Sequence, residues 1–143
     1  MKSKWMIAGA VLFMLAAVSG YAQTTRTMQV TVPFEFTIHN QVLPAGEYLV
    51  SELATNSIPV LLIRGGKDQP ALLSQGIVTY RDGQPGSASA VFHRYGTSYF
   101  LTNIWWGGGS SLGVDVPESK TERELAKTAS VRRPDQVVLL ASR

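Results

Sequence analysis

Beyond residue 28 the chain alternates between apolar and polar positions. Val30 and Val32 are interleaved with Gln29 and Thr31, and after Pro33 the alternation resumes as Phe34, Phe36 and Ile38 against Glu35, Thr37 and His39. A period of two sends successive side chains to opposite faces, so this segment predicts a half-buried strand with its aromatics inward. Leu43-Pro44-Ala45-Gly46 reads as a type I turn, with proline presetting φ at the second position and glycine at the fourth. Glu47 to Leu53 resumes a strand with Tyr48 and Val50 on one face. Ile58 to Arg64 is a more continuously apolar strand, closed by Gly65-Gly66-Lys67-Asp68. Pro70 to Tyr80 is the next extended stretch, in which Gly76 marks a bulge. After the loop signal of residues 82–86, Ser87 to Arg94 and Ser98 to Trp106 predict a hairpin around Tyr95-Gly96-Thr97.

One segment departs from this rhythm. Ser119-Lys120-Thr121-Glu122 has the spacing of a capping box, and residues 120–129 are rich in good helix formers. Leu125 and Ala129 give a narrow apolar stripe that could dock on a sheet. Pro134 ends the helix, and Gln136 to Ala141 predicts a last buried strand. Strands recurring about every 8–12 residues between turn residues imply an all-β fold. The expected architecture is a single antiparallel β-sandwich or small β-barrel of about seven to nine strands, with one short C-terminal helix. An outer-membrane barrel is disfavoured, because about eight strands of 9–11 residues would overfill the chain and His93, Arg94 and Asn103 would interrupt the apolar band.

The first 22 residues follow a different pattern. Lys2 and Lys4 precede an uncharged, almost wholly apolar run from Trp5 to Val18, and Gly20 and Ala22 occupy the −3 and −1 positions of a cut before Gln23. That is the layout of a secretory signal peptide. The apolar run is shorter than the roughly 20 residues a spanning helix needs. Residues 1–22 are therefore expected to be removed and 23–143 to form one β-rich domain, periplasmic or extracellular, without membrane insertion after cleavage.

The composition of the 143 residues mainly excludes chemistry. There is no cysteine, hence no disulfide framework, thiol nucleophile or Cys-based zinc site. The formal charge of +3 owes two lysines to the leader. A nucleic-acid partner normally requires a clustered cationic face, which the nearly neutral remainder lacks. Arg132-Arg133 is an isolated basic pair.

Two motifs resemble catalytic ones and lack their context. Gly109-Ser110-Ser111-Leu112-Gly113 matches the G-x-S-x-G of a nucleophile elbow, but both histidines, His39 and His93, precede the serine and no helix follows it directly. Gly108 and Gly113 have P-loop spacing, yet Val114 and Asp115 stand where lysine and a hydroxyl residue belong. His39 and His93 are the only candidate imidazole ligands, with Glu35 on the face of His39, and catalytic zinc usually needs three protein ligands. Among Glu35, Glu47 and Glu52, spacing singles out no carboxylate pair of the glycosidase kind. No catalytic residue, metal or cofactor is assigned.

Aromatic residues form the best candidate for recognition. Tyr95, Tyr99, Phe100, Trp105 and Trp106 precede Gly107-Gly108-Gly109. Strict alternation would put Phe100, Ile104 and Trp106 on one face and Tyr99, Leu101 and Trp105 on the other, leaving one indole outside the core. It could stack on sugar rings or anchor a partner, or be covered by the C-terminal helix. The candidate binding set is Tyr99, Trp105, Trp106, Arg94 and His93, and the candidate partners are a glycan, a lipid or a protein.

The ordered motifs V-P-F-E-F (32–36), L-P-A-G-E-Y-L-V (43–50), F-H-R-Y-G-T-S-Y-F-L-T-N-I-W (92–105) and S-K-T-E-R-E-L-A-K (119–127) resemble a family of small exported bacterial β-rich proteins. The resemblance spans nearly all of 23–143. It implies a mostly β domain behind a signal peptide and carries over no active site. Three functions fit: a non-catalytic envelope or secreted binding protein, a small hydrolase or isomerase using Glu35 or His93, and a structural subunit associating through edge strands.

Overall fold

The first two extended stretches form one long, bent hairpin. In the computed structural model, which describes residues 26–53, 58–83, 86–129 and 133–142, β1 (Thr27–Val32) pairs antiparallel with β4 (Gly46–Leu53). Farther out, β2 (Phe36–Ile38) pairs with β3 (Gln41–Leu43). The segment 1–22, read as a signal peptide, lies outside the described residues, as does Arg132. The hairpin turns at His39-Asn40, where His39 has φ 55° and its Nε2 lies 2.9 Å from Ser74 Oγ. Leu43–Gly46 is therefore not the reversal expected of it. It is a bend at which the strand leaves one sheet for the other, as Pro33–Glu35 is on the opposite arm. Proline supplies no ladder N–H, so pairing breaks where the chain must bend. The Tyr48 hydroxyl donates to Pro44 O at 2.5 Å and pins the corner.

The smaller sheet has the order β1-β4-β5-β6, with β5 at Val60–Arg64 and β6 at Leu72–Gln75. The larger is ordered β11-β8-β9-β10-β7, formed by Asp135–Leu140, Ser89–Tyr95, Ser98–Trp105, Leu112–Asp115 and Ile77–Tyr80 respectively. The β2–β3 hairpin joins it through a parallel contact, Thr37 with Phe100. The two sheets form a sandwich-like all-β fold rather than a closed barrel; one isolated bridge, Gln29 to Ser142, links their edges. Among the described residues eleven strands arise from eight extended stretches, because three of the stretches cross between sheets. The third crossing is at Gly76, between β6 and β7. A Cβ there would collide with Val114 Cγ1 and lie 2.9 Å from Asp115 O, so the glycine marks a crossing rather than a bulge.

Alternation buries Val30, Val32, Tyr48, Val50, Leu61 and Ile63 from the smaller sheet against Ala90, Phe92 and Val114 from the larger. Phe36 packs edge-on against both Tyr48 and Phe92, with ring centroids 5.1 and 5.4 Å apart. On β9 the alternation is interrupted. Val91 pairs with Asn103 but Phe92 with Leu101, which leaves Thr102 as an extra residue. This bulge corrects the facial assignment expected from strict alternation: Leu101, Ile104 and Trp106 share the core side, while Phe100, Asn103 and Trp105 face outward.

The helix α1 (Lys120–Thr128) begins at Ser119, whose hydroxyl accepts from Glu122 N at 3.0 Å. The reciprocal half of the expected capping box is missing, because the Glu122 carboxylate is bonded elsewhere. Glu122 is also the buried residue of the helix; Leu125 and Ala129 are only partly covered.

Candidate functional site

The outer face of the larger sheet is where polar side chains converge. Period-two geometry turns Val91 and His93 of β8, Asn103 and Trp105 of β9, Asp115 of β10 and Gln136 of β11 to one side, and the pairings Gln136–His93 and Asp115–Asn103 bring them together. With Thr102, Val116 and Glu118 they line a groove of about 420 Å³. A larger crevice of about 690 Å³, near Thr27, Gly108 and Leu140, has no ionisable side chain among its described lining residues.

At one end of the groove His93 Nδ1 lies 3.1 Å from Glu122 Oε1, so the helix reaches the sheet through a carboxylate. Glu122 is only 2% exposed, against 29% for the His93 side chain. Burial drives the Glu122 carboxyl above its ordinary range and repulsion from Glu118 adds to this, while the His93 bond and charge oppose it. Tyr95, edge-on to His93 at 6.3 Å, is also raised, first by burial and then by Glu122 and Glu118.

In the middle, Asn103 is 8% exposed. Its Nδ2 donates to Asp115 Oδ1, and its buried Oδ1 has no partner. A buried amide oxygen without a donor is costly, of the order of 1–3 kcal/mol. Thr102 Oγ1 donates back to Val91 O at 3.1 Å, which holds the bulge. At the other end Trp105 lies across Gly113, where a Cβ would come within 2.5 Å of Trp105 Cε3, and the Arg81 guanidinium stands 4.5 Å from the ring centre. The indole is thus a braced wall, with one face occupied by a cation.

The five side chains singled out from sequence are divided by this geometry. His93 and Trp105 line the groove. Trp106 is buried in the core with its Nε1 unpartnered. Tyr99 stacks on Phe34, with centroids 3.8 Å apart, and Arg94 lies over the Tyr99 ring at 5.7 Å. His39 and His93 bond to Ser74 and Glu122 respectively. Among the described residues no group of three His, Asp or Glu side chains could hold a metal ion. Glu35 and Glu47 are exposed, and Glu52 pairs with Arg26 at 3.2 Å. Residues 106–111 form the β9–β10 connection, with Gly107, Gly108 and Gly109 all at positive φ and Ser110 Oγ accepting from Leu112 N. That connection is strand to strand, so the G-x-S-x-G segment is not an elbow leading into a helix.

Sequence reasoning missed Asn103, Asp115, Glu118 and Glu122. The available signal was Glu122, an acidic residue at the third helical position on an otherwise weakly apolar helix. No protein-family model, curated protein or solved structure matches this chain, so its function must be argued from the groove.

Proposed function

We propose that this is an exported, non-catalytic protein of the periplasm or extracellular space that binds a polar ligand, best matched by a glycan, in the groove on the outer face of the larger sheet. The observation that carries the reading is Asn103: a buried amide oxygen without a donor, in a groove whose other polar groups come from four separate segments. Hydroxyl-rich ligands offer donors and acceptors together, which suits a lining of amides, carboxylates, an imidazole and a hydroxyl beside an indole. Export is supported by the charged start, short apolar run and small-residue junction of residues 1–22.

The test is titration of the purified protein with a panel of neutral and amino oligosaccharides, followed by tryptophan emission and calorimetry. Binding should change the emission of Trp105, and Trp105→Phe should remove that change. Absence of both heat and emission change with every oligosaccharide would refute the reading.

A small hydrolase or isomerase is the second reading, favoured by the Glu122–His93 pair. A carboxylate bound to Nδ1 orients an imidazole as general bases require. The nearest groove hydroxyl, that of Thr102, is committed to Val91 O. Should an activity be found, its survival in the Glu35→Gln and His93→Ala variants would remove this reading.

A further inference from the structure

We infer that the ligand of this groove carries a cationic nitrogen, as an amino sugar unit does, and that Asp115 and Glu118 receive it. The inference rests on the glycan reading above and narrows it. The ionisable side chains among the described lining residues are Asp115, Glu118 and His93, and His93 is bonded through Nδ1 to a third carboxylate, Glu122. No lysine or arginine is among the described lining residues. Arg81, the cation closest to Trp105, is committed to the indole face. One oxygen of Asp115 accepts from Asn103, leaving the other for a ligand donor. Glu118 is exposed.

Carboxylates alone could be a solvated patch; the buried Asn103 oxygen that lacks a donor is independent of them. An ammonium group supplies three N–H donors and a positive charge, enough for the Asp115 oxygen, the Glu118 carboxylate and an amide carbonyl. A uronic or sulfated sugar would bring like charge against the acids. A neutral N-acetylated sugar would leave them uncompensated. The influence of Glu118 on both Glu122 and Tyr95 indicates that its negative field reaches the His93 end of the groove.

The experiment is calorimetric titration of the purified protein with a glucosamine tetrasaccharide, its fully N-acetylated counterpart, a uronic-acid oligosaccharide and spermidine. The amino oligosaccharide should bind about tenfold tighter than the N-acetylated one, the size of one charge-assisted hydrogen bond. Asp115→Asn should abolish that preference while leaving binding of the N-acetylated sugar within about threefold. Glu118→Gln, a near-isosteric change on an exposed residue, should reduce it. Equal or tighter binding of the N-acetylated or uronic sugar would overturn the inference and leave the glycan reading standing, as would a preference that survives in the variant combining Asp115→Asn with Glu118→Gln. Spermidine binding that depends on both acids, with no binding of any sugar, would overturn the glycan reading and retain the cationic nitrogen. No binding by any of the four would overturn both.

Discussion

Removing His93 should destabilise the protein through Glu122 rather than through lost packing, and its pH dependence separates the two causes. The Glu122 carboxyl is 2% exposed and its side-chain partner among the described residues is His93 Nδ1 at 3.1 Å. Deleting one partner of a buried charged pair costs about 3–5 kcal/mol, because the other is left desolvated. The His93 side chain is 29% exposed, so water can follow a truncation inward, and His93→Ala is expected to cost about 2–3 kcal/mol at pH 7. Glu122→Gln keeps an acceptor for Nδ1 and removes the buried charge, and should change stability by less than about 1 kcal/mol. The linkage runs in a defined direction. Burial raises the Glu122 pKa in the folded state above its ordinary 4.5, so the folded protein holds this proton where the unfolded chain has released it. The contribution of the group to stability is fullest below pH 4.5 and declines as pH rises through the raised value. Without His93 the pKa climbs further, so the deficit of His93→Ala should be largest near neutrality and shrink towards pH 4. Urea unfolding at several pH values, followed by circular dichroism, measures it. A deficit that does not vary with pH, or a Glu122→Gln variant as damaged as His93→Ala, would refute the argument.

Other expectations follow from single contacts. Tyr48→Phe loses the 2.5 Å bond to Pro44 O that pins the strand corner and should cost about 1 kcal/mol in urea unfolding without changing the fold. Gly113→Ala places a Cβ 2.5 Å from Trp105 Cε3 and 2.8 Å from Ile104 O, so the indole must move; a cost of about 1–3 kcal/mol with altered tryptophan emission is expected. Export predicts a mature chain beginning at Gln23, which intact mass of the protein recovered outside the cytoplasm would check; a retained leader would refute it.

The alternating strands were legible because burial on one face leaves a period of two in the sequence, as Val30-Val32 and Tyr48-Val50 do. The corners were not. Pro-Ala-Gly has the same local chemistry whether the chain reverses or bends between sheets, and the choice depends on a partner strand some 15 residues earlier. The groove was less legible still. Ser119-x-x-Glu122 satisfies the pattern of a capping box, yet the carboxylate turns to His93, 29 residues back in sequence, which no local pattern encodes. Asn103 and Asp115 were not legible as groove residues because each is an ordinary strand polar residue until pairing places them opposite one another.

The bulge at Thr102 links fold to site. With strict alternation Asn103 and Trp105 would lie on the face of Leu101, inside the sandwich, and Ile104 and Trp106 would face the groove. The extra residue reverses this downstream of Leu101, putting two apolar side chains in the core and the amide and braced indole outside. Its own hydroxyl contributes one bond, to Val91 O, so Thr102→Val should cost only about 1 kcal/mol. Deleting Thr102 is a sharper test: it removes the surplus residue, so Asn103 follows Leu101 directly and the pairing with Phe92 and Val91 continues one to one without a bulge. Leu101, Ile104 and Trp106 then keep the core side and Asn103 and Trp105 the outer side. What is lost is the hydroxyl bond to Val91 O and the 2.8 Å bond that Val116 N donates to Thr102 O, so the deletion should cost about 1–3 kcal/mol and retain cooperative unfolding in a thermal melt. A deletion variant that lost cooperative unfolding while Thr102→Val kept it would mean that Thr102 is not surplus to the pairing, and the assignment of the two faces of β9 would fall.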